Sequence, residues 1–80
     1  MNEEYRKKIE PIIREAGKIH GFVSRLALEM SKLEKREVKR QQIEGWLHVD
    51  PAKRIEPKYS VGVNLFKAIE RTREALKEAA

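Results

Sequence analysis

Apolar side chains fall three and four positions apart along nearly the whole chain, and this spacing restricts the fold more than any other feature. Ile9, Ile12, Ile13, Ala16 and Ile19 form one stripe. Phe22, Leu26, Met30 and Leu33 form a second, with Val23 and Ala27 beside them. Ile43, Trp46 and Leu47 make a short third, and Val61, Leu65, Ile69 and Leu76, with Phe66 adjacent, a fourth. A helix turns once in about 3.6 residues, so each stripe becomes one apolar face; a strand would need every second residue apolar. No segment alternates in that way. The expectation is an all-α, compact domain of four to five helices.

Glycines and prolines set the boundaries. Residues 3–20 read as helix, but Pro11 lacks an N–H and disfavours helical geometry just before it, so the main helix is expected to start there. Gly21 ends or turns the chain. The second helix runs to about residue 34, and the polar segment Lys35, Arg36, Glu37 reads as a turn. Asp50-Pro51 marks another turn and Pro57 blocks a continuous helix, leaving residues 52–56 as a helical turn or irregular structure. The C-terminal helix spans about 60–79, with Arg71, Arg73 and Lys77 placed to suit its dipole.

Eighty residues make one small domain, 1–80, with little stability to spare. There are no cysteines, so neither disulfides nor a thiolate metal site add to it. Eighteen Lys and Arg against thirteen Asp and Glu give +5, which permits a polyanionic partner without demanding one. Most of the surplus precedes Gln41. No apolar run approaches the roughly 18–20 residues of a membrane span, and the charged N-terminus lacks a signal peptide's apolar stretch. A soluble, cytoplasmic protein is expected.

Catalysis finds little footing. His20 and His48 lack partners at zinc-site spacing, Asp50 is the sole aspartate, and there is no Gly-rich phosphate loop. The glutamates alternate with Lys or Arg as solvated helix surfaces do. The expectation is a non-enzymatic protein without cofactor, metal or small-molecule ligand.

The stretch EVKRQQIEGWLH, residues 37–48, holds the candidate site. On a helical wheel Ile43, Trp46 and Leu47 define a buried side, with Trp46 an anchor of the core rather than a stacking platform. Gln41, Glu44, Gly45 and His48 fall opposite, and Arg40 and Gln42 on the flanks. A side-chain amide matches the N6/N7 edge of adenine, and a guanidinium the O6/N7 edge of guanine. Lys39 and Arg40 suit flanking phosphates. Gly45 costs roughly 1 kcal/mol against alanine and clears bulk where another surface approaches. Glutamines are also good helix formers, so a plain solvated face remains the alternative.

The order of residues resembles the helix-turn-helix of lambda-repressor-like (Cro/cI-type) DNA-binding domains. Leu26-Ala27, then Met30 three positions on, matches its first helix; Val38 matches the apolar residue of its turn, and Ile43 five later and Trp46 three beyond match its second helix. The likeness covers roughly residues 10–70. It departs at the joint, where residues 31–37 stand in place of the usual single residue. Leu33 continues the apolar stripe, so a lengthened helix followed by a loop is expected there.

The resemblance implies a helix-turn-helix over about 23–48. Its first helix would cross the DNA backbone and its second would lie in the major groove. Arg40, Gln41, Gln42 and Glu44 become base readers, Glu44 either accepting from cytosine or orienting Arg40. Lys35, Arg36 and Lys39 become phosphate contacts. Lys53, Arg54 and Lys58 either touch the backbone or belong to a solvated loop. Val38, Ile43, Trp46 and Leu47 stay in the core. Double-stranded DNA is then the partner, in the manner of a phage-repressor or antitoxin type regulator associated with the nucleoid. A homodimer is a candidate assembly, with Val63, Phe66 and Leu76 on the C-terminal helix as its surface, although core packing is the favoured role for Phe66. The alternative is a helical protein-protein interaction module that binds no DNA.

Overall fold

The computed structural model describes residues 3–79, which form four α-helices and no strand: α1 (Glu3–Lys18), α2 (Phe22–Glu34), α3 (Arg40–Trp46) and α4 (Tyr59–Ala79). No helix among them is long and apolar enough to cross a membrane.

The helical stripes close on one core. Ile9, Phe22, Leu26, Met30, Ile43 and Leu65 are fully buried, with Tyr5, Ile12, Val38, Trp46, Leu47, Ala68 and Ile69 around them. The central helix is α2, which packs against α4 on one side and α3 on the other. An edge-on contact between the Tyr5 and Phe66 rings, at 6.1 Å, and a forked Arg73–Glu15 ion pair at 2.6–3.0 Å fasten α1 to α4.

Pro11 does not start α1. The helix runs through it from Glu3, whose carboxylate and that of Glu4 suit the positive end of the dipole. A proline inside a helix costs about 3 kcal/mol. Burial of Tyr5 and Ile9, on the face continued by Ile12, offsets that penalty. Pro11 lies on the solvent side, and Lys7, whose carbonyl its missing N–H leaves, is exposed as well. Ile19, assigned to the α1 stripe from sequence, falls beyond the helix and is 38% exposed. Gly21, at φ +82°, turns the chain into α2, a conformation strained for any residue with a β-carbon.

The joint between α2 and α3 is a longer helix followed by a loop, as Leu33 implied. Lys35 closes α2 in the left-handed conformation (φ 57°, ψ 34°), and the N–H groups of Lys35 and Arg36 both reach the Ser31 carbonyl. Ser31 Oγ donates to the Ala27 carbonyl at 2.8 Å and accepts the Val38 N–H at 2.9 Å. One hydroxyl thus ties the loop back onto α2 and delivers Val38 to the core. The Asn64 amide donates to Glu34, joining α4 to the same corner.

Candidate nucleic-acid interface

Two turns are too short for an isolated helix to be stable, so α3 depends on its neighbours. Ile43 is fully buried and Trp46 and Leu47 nearly so, which fixes the inward face. The helix stops at Trp46, two residues short of the expected His48.

Its carbonyl end is then held by donors from elsewhere. Leu47 N–H bonds to the Ile43 carbonyl at 2.9 Å, and Ile55 N–H to the Gly45 carbonyl at 3.0 Å. The Tyr5 hydroxyl donates to the Trp46 carbonyl at 3.1 Å. Burial pushes the Tyr5 phenol up to about 12, outweighing the opposing Arg54 charge, with Glu56 adding to the rise. Arg54 donates from Nε to the His48 carbonyl at 2.8 Å and from a terminal nitrogen to the Val49 carbonyl at 3.4 Å. Its remaining nitrogen pairs with Glu10 on α1 at 3.1 Å. Apart from Ile43, which Leu47 serves from within the same turn, these carbonyls have no partner within a helix that ends here, and each receives one from beyond it.

Arg54 therefore leaves the set of phosphate contacts proposed from sequence: its side chain has no exposed surface and is fully engaged in these bonds. Gly45 changes meaning too. A β-carbon there would stand 3.3 Å from Ile55 Cδ1, so the surface that approaches it is this chain's own loop. His48 is half-buried and accepts the Asp50 N–H on Nδ1, opening the turn whose Asp50 carboxylate accepts from Ala52.

The opposite end of α3 is open. Arg40, Gln41, Gln42 and Glu44 are all exposed, and so are Lys35, Arg36 and Lys39 on the joint that leads into the helix. Lys53 and Lys58 are exposed in the loop beyond. Arg40 Nε pairs with Glu44 Oε1 at 3.1 Å, one turn along the same face. Gln42 is partly committed: its Oε1 accepts the Lys39 N–H at 3.1 Å, a cap on the first turn that uses the carbonyl and not the NH₂ of its amide. Arg36 leans on Glu34 at 3.4 Å. Gln41 alone among the four outward residues makes no side-chain hydrogen bond within the described residues.

Sequence reasoning missed the Arg54–Glu10 pair and the Tyr5 bond to α3. A basic residue between two prolines looks like any solvated loop position, and nothing local distinguishes Glu10 from the other α1 carboxylates. A second surface was read only in part, through Val63 and Phe66 as a candidate dimer face. Tyr5, Lys8, Pro57, Tyr59, Gly62, Val63 and Phe66 line an open groove of about 270 Å³ between α1 and the start of α4. Tyr59 is 88% exposed at its edge, and the Lys8 ammonium lies 5.9 Å from the Phe66 ring centre.

Compared with known proteins, the chain matches no family model, no curated protein and no solved structure.

Proposed function

We propose that this protein binds double-stranded DNA sequence-specifically through the outward face of α3, as a small transcriptional regulator of phage-repressor or antitoxin type that works by occupying an operator. The observation that carries this reading is the asymmetry of α3. Its carbonyl end is tied to α1 and the following loop, while its amino end presents Arg40, Gln41 and Glu44 beside Lys35, Arg36 and Lys39.

In this mechanism the lysines and Arg36 meet phosphates and set the register without reading sequence. Gln41 presents donor and acceptor together to an adenine edge, and Arg40 its fork to guanine. Glu44 holds Arg40 extended along the helix until a base replaces it. That exposed pair is worth at most about 1 kcal/mol, so a bidentate guanine contact can displace it. On this reading α2 and α3 play the parts of the two helices of a lambda-repressor-like helix-turn-helix with a lengthened joint, and binding calls for no cofactor.

Binding should weaken as salt rises, with a log–log slope of about −0.9 for each phosphate neutralised. Gln41→Ala should relax preference at one base position, at a cost of about 1–3 kcal/mol there. Lys39→Ala should weaken binding alike on all sequences. Mobility shifts on random-pool and selected duplexes, across a salt series, measure both. Absence of any shift at low salt would falsify the reading, and identical behaviour of the two variants would overturn the division of roles.

The groove beside Tyr59 favours a second reading, a helical protein-interaction module. An aromatic ring left 88% exposed beside a groove lined by Tyr5, Pro57 and Phe66 is a surface suited to a protein partner. On that reading Tyr59→Ala abolishes partner binding, and charge changes on α3 do nothing.

A further inference from the structure

The Arg54 side chain has no exposed surface, and the DNA-reading face makes no direct use of it. Its three bonds run to two carbonyls just past the end of α3 and to Glu10 on α1, so one planar group joins three segments. Ile55, the next residue, adds its N–H to the Gly45 carbonyl and its side chain over Gly45. The loop thus grips α3 at one end only, opposite the exposed Arg40 and Gln41.

We infer that Arg54, braced by Glu10, is a positioning residue that sets the angle at which α3 is presented to the bases; this rests on the DNA-reading function of α3. Val38 and Ile43 pin the start and middle of α3 to the core, so slack at the carbonyl end tilts the helix about those points and displaces its outward side chains. Phosphate contacts from the flexible Lys35 and Lys39 tolerate such displacement, whereas a bidentate base contact does not. The guanidinium is suited to the task because its fork is planar and pre-organised; a lysine keeps the charge but offers a single point donor.

The test uses the full chain carrying Arg54→Lys, with Arg54→Met as the harsher variant. Ile69→Val, in α4, serves as a control for plain loss of stability. For Arg54→Lys the preference for a selected duplex over random DNA should fall roughly tenfold, the scale of one mis-seated bidentate contact. Affinity for random DNA and its salt slope should stay within about twofold, because they depend on phosphates. Amide hydrogen exchange supplies a readout that needs no DNA. The Leu47 and Ile55 amides should exchange faster in Arg54→Lys while the α4 amides hold, a pattern that Ile69→Val does not give.

Loss of selected and random binding in proportion to the folded fraction overturns the inference, because Arg54 is then structural only. Unchanged exchange at Leu47 and Ile55 overturns it as well, whatever the binding. If the wild-type chain shifts no DNA, the function assigned to α3 fails, and the exchange pattern alone then decides whether Arg54 anchors the helix.

Discussion

A β-carbon at Gly45 would meet the far end of Ile55, a side chain that is itself 61% exposed. The distance, 3.3 Å, is tight, but Ile55 has solvent to swing into. Alanine also gains about 1 kcal/mol of helix propensity over glycine in a helix interior. Gly45→Ala is therefore expected to stabilise the fold by somewhat under about 1 kcal/mol in urea denaturation, with DNA affinity unchanged. A marked loss of DNA affinity without loss of stability would return Gly45 to the interface. At Tyr5 the expectation concerns pH. The phenol's folded-state value is raised from 10.0 to about 12, so the unfolded chain gives up its proton first. The stability from keeping Tyr5 protonated is complete below about pH 10 and declines as pH climbs from there toward 12. Tyr5→Phe should cost about 0.5–1.5 kcal/mol at neutral pH, through the lost bond to the Trp46 carbonyl. It should also flatten the alkaline decline. Thermal melts at a series of pH values compare the two proteins, and parallel curves above pH 10 would refute the assignment.

Lys35 ends α2 with φ 57°, in the left-handed region that costs a residue with a β-carbon about 1–2 kcal/mol. Glycine adopts it freely but has more freedom to lose on folding, so Lys35→Gly should stabilise the protein by about 0.5–1 kcal/mol. If Lys35 also meets a phosphate, the same change should make the salt slope shallower by about 0.9. Stability and DNA affinity then move in opposite directions, which chemical denaturation and a salt titration together detect. A destabilised Lys35→Gly would show that the lysine side chain matters more to the joint than its backbone angle. The elements themselves were legible in the sequence because a 3.6-residue period is a local signal. The stripes Phe22, Leu26, Met30 and Leu65, Ile69 went into the core as read, and Leu33 foretold the extended α2. Pro11 was misread because a local rule was applied where distant packing of Tyr5 and Ile9 prevails. The anchors of α3 were not legible at all. Arg54 meets Glu10 across 44 positions and Tyr5 meets Trp46 across 41, and no spacing rule reaches that far. The outward residues of α3 were legible as exposed, but that Gln42 caps the helix and that Arg40 leans on Glu44 needed coordinates.

The described molecule measures 34 × 28 × 20 Å, and if α3 reads DNA as proposed, its short length limits what a single copy can read. Duplex DNA rises about 3.4 Å per base pair along each strand, so the longest dimension covers roughly ten base pairs. The seven residues of α3 extend only about 10 Å at 1.5 Å per residue, enough to face about three. A single copy should therefore protect about one turn of duplex from nuclease, with sequence preference confined to three to five or so adjacent base pairs within it. Such a motif is too short to single out an operator in a genome, so occupancy would require two copies on one site. Their half-sites should then lie about 10–10.5 base pairs apart, centre to centre, or a multiple of that, because whole turns present the same groove on the same side of the duplex. Sequences selected from a random pool reveal the motif and any symmetry, and sedimentation of the selected complex gives the number of copies bound. Preferences spread over more than a turn beneath a single bound copy would require a second reading element. The arms of that choice differ physically: α3 cannot reach those bases, so the groove beside Tyr59 or the Lys53 turn would have to face the DNA instead.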